Sequence, residues 1–212
     1  MVSQRAAVDR FIRKAVDPVL SHTGFERVGG RAWERRTEQL RHVIAAEVRN
    51  GVLRFQWGVV SAEATPFVWR TETKSGNVGD AVLASTVRSF STPPGRSKVD
   101  LDLVATDKQL EIASGTVRAD LQAAELPMRA FTTRRALRSY LLENRELNDP
   151  RDFVIPSGLP LKLYVAAVLA ALDKDRSAVG LLEETEVAML PLQDGEPTQT
   201  RMKLLRDAVK SI

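Results

Sequence analysis

Apolar and polar positions alternate on both sides of Asn50-Gly51, and the alternation predicts a β-hairpin. Asn-Gly suits a two-residue type I′ turn, whose central positions need positive φ. That turn sets Arg49 against Val52, then Val48/Leu53, Glu47/Arg54, Ala46/Phe55, Ala45/Gln56 and Ile44/Trp57. One face collects Ile44, Ala46, Val48, Leu53, Phe55 and Trp57, while the other carries Ala45, Glu47, Arg54 and Gln56. A one-residue slip would turn the whole apolar set into water, so turn and pattern fix the same register. Upstream, a turn with Glu38-Gln39 at its tip returns residues 32–36 alongside residues 40–43. It puts Trp33 opposite Ile44, in one row with Trp57.

Elsewhere the period changes. In residues 3–21, Ala7, Phe11, Ile12, Ala15, Val19 and Leu20 fall near i, i+3/i+4 spacing, opposite Arg5, Arg10, Arg13 and Lys14. This is an amphipathic helix with Ser3 as N-cap, Pro18 expected to kink or end it, and Gly24 as C-cap candidate. Phe25 to Val28 is extended, and Gly29-Gly30 turns it toward the next strand. Phe67-Val68-Trp69-Arg70-Thr71 reads as a fourth strand begun by Pro66. Residues 74–80 (KSGNVGD) read as a loop, residues 81–89 fit either a short helix or a strand, and STPPGRS (91–97) reads as an exposed loop. Val99, Leu101 and Leu103 alternate with Asp100 and Asp102, giving a strand with one acidic face. From Val117 the period is helical, with Val117, Leu121 and Ala124 on one face and Pro127 interrupting. Thr132 or Thr133 then caps a helix that buries Ala136, Leu137, Tyr140 and Leu141 and stops at Asn148-Asp149-Pro150.

The helix, Gly24-Phe25, Trp33-Glu34-Arg35, two further strands and the later Leu126-Pro127 with its following helix together resemble a bacterial family described as a domain of unknown function. The resemblance spans residues 8–145. It implies a helix, a "GF" dipeptide, an aromatic-x-Arg strand, an antiparallel sheet and an "LP" helix, and it brings no activity, cofactor or catalytic residue.

Residues 151–160 (RDFVIPSGLP) read as a linker. Beyond them lie three helical patterns, at 161–172, 176–190 and 199–212. The first points Tyr164, Val165, Val168, Leu169 and Leu172 inward, the second Val179, Leu182, Val187 and Leu190, and the third Met202, Leu205, Ala208, Val209 and Ile212. The expected class is α+β: an antiparallel sheet of about four to six strands, helices on one face, and a C-terminal helical subdomain. The expected division is 1–150 for the α+β domain, 151–160 for the linker and 161–212 for the helical subdomain packed on or beside it.

Composition narrows the chemistry more than it names it. The 212 residues include no cysteine, which excludes disulfides, thiolate metal sites and Cys nucleophiles. The longest apolar run, residues 163–172, is shorter than the roughly 18 residues of a membrane span. The N-terminus has no signal-peptide h-region, so a cytoplasmic protein is expected. Net charge is +4, unevenly spread: residues 1–100 hold 16 Lys and Arg against 10 Asp and Glu, the remainder 15 against 17. An Arg-rich, Ala-rich chain fits a high-GC bacterial genome.

Neither G-x-x-x-x-G-K-[ST] nor G-x-G-x-x-G occurs, and no G-x-S-x-G elbow. His22 and His42 are isolated; His42 falls beside Arg35 and Val59 on the core face and reads as a packed histidine. Asp100/Asp102 and Glu183, Glu184 and Glu186 read as solvated acidic faces. No catalytic, cofactor-binding or metal-ligating residues are assigned, and no cofactor. The remaining candidates contact anions or nucleic acid: Arg54 on the polar sheet face, Arg96 and Lys98 in the Pro-Gly loop, and Arg134, Arg135 and Arg138 at a helix start, where the helix dipole favours anions. The expected function is a non-enzymatic binding or protein-interaction module acting through the C-terminal helices. The alternative is an Arg-rich nucleic-acid-binding protein. Neither involves a membrane.

Overall fold

The computed structural model describes residues 4–49, 51–70, 72–87, 99–100, 107–145, 158–192 and 195–212. An antiparallel sheet runs β1 (Glu26–Gly29), β2 (Ala32–Arg36), β3 (Arg41–Arg49), β4 (Val52–Val60) and β5 (Leu83–Thr86) in chain order, with the short β6 (Val99–Asp100) beside the start of β4. The β3–β4 register is the one that Asn50-Gly51 dictates, from Arg49 opposite Val52 to Ile44 opposite Trp57, with Gly51 at φ 73°. Trp33 pairs with Ile44, so Trp33, Ile44 and Trp57 form a buried row across three strands. Glu38-Gln39 lacks the residues of a tight turn, and side chains close it instead. The Thr37 hydroxyl accepts from the Leu40 N–H at 3.1 Å, and Gln39 Oε1 accepts from the Arg134 N–H at 3.0 Å.

The N-terminal helix is continuous in three pieces: α1 (Gln4–Phe11), a π-helical turn (Ile12–Val16) and α2 (Asp17–His22) with Pro18 in its first turn. Proline cannot donate to the carbonyl four residues back. The wider turn before it accommodates the ring, and the Lys14 carbonyl accepts instead from Arg118 Nη2 at 3.1 Å. Phe11, Ile12, Val16 and Leu20 lie in the same buried cluster as Trp33 and Ile44, and Asp17 Oδ1 accepts from Trp33 Nε1–H at 2.8 Å. The helix ends in a Schellman cap: the Gly24 N–H bonds to the Ser21 carbonyl and the Phe25 N–H to the Leu20 carbonyl, with Gly24 at φ 82° and Leu20 and Phe25 both buried. The Gly24-Phe25 dipeptide is therefore a helix terminator with its hydrophobic clasp.

Helix α4 (Asp107–Ala130) crosses the same core and contains Pro127, so the proline does not interrupt it. Phe131, just after it, stacks on Trp57 with ring centroids 6.4 Å apart. Helix α5 (Arg134–Glu143) is capped by Thr133, whose hydroxyl accepts from the Ala136 N–H. Helix α6 (Leu159–Leu172) is buried on every side from Lys162 to Ala171, as an all-round apolar sequence requires. Its one buried cation, Lys162, donates to the Asn144 carbonyl beyond the end of α5. Helices α7 (Ser177–Met189) and α8 (Glu196–Val209) flank it. One contiguous cluster of buried side chains joins α1, the sheet, α4, α5, α6, α7 and α8. The architecture is α+β with C-terminal helices.

Several sequence expectations need correction. The strand expected at residues 67–71 is not found at residues 67–70: Thr65–Trp69 is helix α3, with Pro66 in its first turn and Arg70 closing it at φ 58°, and Thr71 lies outside the described residues. Its aromatic, β-branched composition favours a strand, but its tertiary partners favour a helix. Tyr164 Oη bonds to the Phe67 carbonyl at 2.9 Å, Arg201 Nε donates to the Val68 carbonyl at 3.2 Å, and Trp69 Nε1–H donates to the Ala81 carbonyl at 2.8 Å. Burial lifts the Tyr164 hydroxyl pKa above its ordinary value. The ambiguous stretch after Ala81 forms strand β5 at residues 83–86. Helix α4 starts ten residues before Val117, and α6 starts at Leu159 inside the expected linker. The loop 91–97, Leu101 and Leu103, and residues 148–150 lie outside the described residues.

On α7 the apolar stripe is turned around. Val179, Val187 and Leu190, expected inside, are 49%, 68% and 58% exposed, while Ala178, Leu181, Thr185 and Met189 are buried. Both sides of this helix are apolar enough to pack, so periodicity alone does not choose between them.

Candidate functional site

The most polar buried cluster is structural. Arg35 on β2 spans the gap between sheet and α4: Nη1 donates to Glu125 Oε1 at 2.5 Å and to the Thr23 carbonyl at 3.0 Å, while Nε and Nη2 reach His42 Nδ1 at 3.2 and 3.0 Å. With Nδ1 accepting, His42 is the Nε2–H tautomer, and that N–H donates to the Phe131 carbonyl at 2.6 Å. Burial pushes the His42 pKa down to about 4, and the Arg35 charge adds to this against the Phe131 hydrogen bond. Burial would raise the Glu125 carboxyl, but hydrogen bonds from Arg129 and Arg35 outweigh it and hold it below its ordinary value. His42 is thus a neutral fastener between sheet and helix. Among the described residues no group of three or more His, Asp or Glu is placed to hold a metal ion.

The arginines singled out from the sequence do not converge. Arg134 Nε donates to Asp173 Oδ1 at 2.6 Å and Nη1 lies 3.4 Å from Glu63 Oε2. Arg138 is buried with Nη2 2.7 Å from Asp175 Oδ2. Asp175 also accepts from the Ser177 N–H, and that hydrogen bond, with Arg138, holds its carboxyl at about 2. The two arginines therefore fasten α5 to the α6–α7 turn, and carboxylates already occupy them. Arg135 points into solvent. Arg54 lies on the outer sheet face opposite Glu47, half-buried, with no hydrogen-bond partner for Nε among the described residues. Arg96 and Lys98 lie outside the described residues.

The outer face of the sheet is not uniformly open. The loop from Lys74 to Asp80 folds over its β2–β4 end, organised by Asp80, which accepts from the Lys74 N–H and from Asn77 Nδ2. Val78 and Ala81 pack there on Val43, Val60 and Ala84. Gly58 permits this approach, since a Cβ at that position would lie 2.6 Å from the Ala81 Cβ. The loop delivers the Gly76 N–H to Glu34 Oε1 at 2.6 Å, and Arg41 Nη1 donates to the same oxygen at 3.1 Å. Glu34 is only 4% exposed, and among the described residues neither its Oε2 nor Arg41 Nη2 has a hydrogen-bond partner. Beside Glu34 opens a hollow of about 500 Å³ lined by Gly24, Glu26, Val28, Glu34 and Arg36.

A second hollow of about 550 Å³ lies between α6 and α7. Leu159, Leu163, Val187 and Ala188 line it, with Arg145, Glu183 and Glu184 at its rim. Leu190 and Leu192 beyond it are also more than half exposed. The sequence points to the C-terminal helices as an interaction surface but assigns Val187 and Leu190 to the core, so it does not find these residues. A third hollow, of about 490 Å³, separates the π-helical turn from α4 and is lined by Lys14, Leu110, Glu111, Ser114, Gly115 and Arg118. No helix among the described residues is long and apolar enough to cross a membrane. No family model, no curated protein and no solved structure matches this chain.

Proposed function

We propose that the protein is a cytoplasmic, non-enzymatic binding module that docks an amphipathic helix of a partner protein between α6 and α7. The observation that carries this reading is the exposure of Val187, Leu190 and Leu192 beside an apolar hollow. A helix-in-groove contact needs an apolar floor with a rim that selects charge. Here the floor is Leu159, Leu163, Val187 and Ala188. At the rim Glu184 is tied to Arg145, whereas Glu183 has no ion pair among the described residues. The partner is accordingly a helix with a basic residue flanking its apolar stripe.

Fluorescence anisotropy with two labelled peptides of about 18 residues, long enough to form a helix on binding, tests this. One is built of Leu and Lys, the other of Leu and Glu. The Leu-Lys peptide is expected to bind, Val187→Asp to weaken it at least about tenfold, and Glu183→Lys to abolish the preference over the Leu-Glu peptide. Failure of both peptides to bind, or binding indifferent to Val187→Asp, overturns the reading.

A second reading, contact with a nucleic-acid backbone, draws support from another surface. Arg5, Arg10, Arg13 and Lys14 line the exposed side of the N-terminal helix, and Arg118 adjoins Lys14 across the third hollow. This reading expects duplex DNA or RNA to bind at low salt and to be released steeply as salt rises. Absence of binding at low ionic strength removes it.

A further inference from the structure

The α6–α7 groove makes no use of the hollow on the outer face of β1 and β2, which has the construction of a binding site. Glu26 and Glu34 are direct cross-strand partners, a placement that brings Cβ atoms to about 5 Å on one face and makes two like charges unfavourable neighbours. Arg41 and the Gly76 N–H answer only one oxygen of Glu34. The other oxygen is buried and has no donor among the described residues, an arrangement native structures rarely leave unfilled. The loop that answers Glu34 is fixed as well: a Cβ on Gly76 would lie 2.9 Å from Ala32 Cβ and 3.2 Å from Val28 Cγ2, so the loop sits tightly against the strands and the Gly76 N–H is held in place.

The charges around the hollow select the ligand. Arg41 balances Glu34. Glu26 and Arg36 both line the hollow, and neither has an ion pair among the described residues. A site that offers free carboxylate and guanidinium together gains most from a molecule that brings both a cation and an anion. We propose that this hollow binds a basic amino-acid unit that carries both a cation and a carboxylate, with a cationic N–H donating to Glu26 and, as the Glu34 carboxylate turns toward the hollow, to Glu34 Oε2, the carboxylate meeting Arg36, and the alkyl chain lying on Val28. That chemistry comes either from a free amino acid or from the C-terminal residue of a peptide.

Titration calorimetry on the full chain separates the possibilities. L-arginine is expected to bind more tightly than agmatine, which has the same guanidinium and no carboxylate. Glu34→Gln keeps an acceptor for Arg41 and Gly76 but presents an N–H₂ to the ligand's donor. It should weaken arginine at least about tenfold, the scale of a lost charged hydrogen bond. Glu26→Gln, at an exposed position, should cost about threefold, and Arg36→Gln should erase the difference between arginine and agmatine. Because Glu34→Gln removes a buried charge, its thermal unfolding is measured alongside; Glu26→Gln and Arg36→Gln alter exposed side chains and keep the test independent of folding. Ala-Ala-Arg binding as tightly as arginine assigns the ligand to a peptide C-terminus, and arginine binding alone assigns it to a free amino acid. No heat with arginine or Ala-Ala-Arg, equal binding of agmatine, or arginine binding untouched by the Glu34 and Glu26 variants overturns the proposal.

Discussion

The inner face of β3 and β4 and the outer face of α7 present similar aliphatic side chains to opposite surroundings. Ile44, Leu53 and Trp57 are completely buried under the N-terminal helix and α4, whereas Val187 and Leu190 stand mostly in solvent. In the sheet, hydrogen bonding leaves each side chain a choice of two faces, and the alternation puts Ile44, Leu53 and Trp57 together on one of them. A helix can roll about its axis, and α7 has rolled so that Ala178, Leu181, Thr185 and Met189 meet α6. Thr185 is fully buried because its hydroxyl donates to the Leu181 carbonyl at 2.6 Å and needs nothing from the core. Small and self-satisfied residues let α7 approach α6 closely. What packs against an element decides its inner face when both faces are apolar.

Truncation should expose this contrast most sharply in the sheet. Trp57→Ala removes a fully buried indole that stacks on Phe131 and spans the row with Ile44 and Trp33, and urea denaturation should show a loss of about 3–5 kcal/mol. A loss below about 1 kcal/mol would mean that the row is not central to the core. Arg35→Met should cost about 3 kcal/mol by the same measurement, because it strands His42 Nδ1 and leaves Glu125 with Arg129 alone. Adding Glu125→Gln should recover part of that loss, since it removes the buried charge that Arg35 answered.

Acid should act on the same joint. The folded pKa of His42, about 4, lies below its ordinary 6.5, so below pH 6.5 the unfolded chain takes up a proton that the native one refuses. Stability is therefore complete above about pH 6.5 and falls as pH drops toward 4, by about 3 kcal/mol over that window. Glu125, held below its ordinary value, adds to the loss at still lower pH. His42→Asn should flatten the curve between pH 6.5 and 4. An unchanged slope in that variant would assign the acid sensitivity to other groups.

Much of the sheet was legible because its information is local. Asn50-Gly51 names a turn, alternation names a face, and together they place Trp33, Ile44 and Trp57 without reference to the rest of the chain. Gly24 as helix terminator was legible for the same reason. The helix at residues 65–69 was not, because its ends are held by Tyr164 and Arg201, roughly a hundred residues and more away. The candidate sites divide in the same way. The outward position of Glu34 follows from the strand alternation, but its unpartnered oxygen depends on Gly76 arriving from the loop. Arg134 and Arg138 stand at a helix start, as anion-binding residues often do. The acids that occupy them, Asp173 and Asp175, come from a turn whose position only the packing of α6 defines.

The smallest expected effect tests the comparison most directly. Val187→Ala removes two methyl groups from a side chain that is 68% exposed, so denaturation should register a change within about 0.5 kcal/mol. Leu181→Ala, six residues earlier and buried, should cost about 2 kcal/mol or more. If the helix had the roll that its sequence suggests, with Val187 inward, the two values would exchange. If Val187→Ala is neutral for stability yet weakens the Leu-Lys peptide, that residue serves contact with a partner and not the core. A stability loss above about 1 kcal/mol at Val187 would return that face of α7 to the interior and remove the groove on which the proposed function rests.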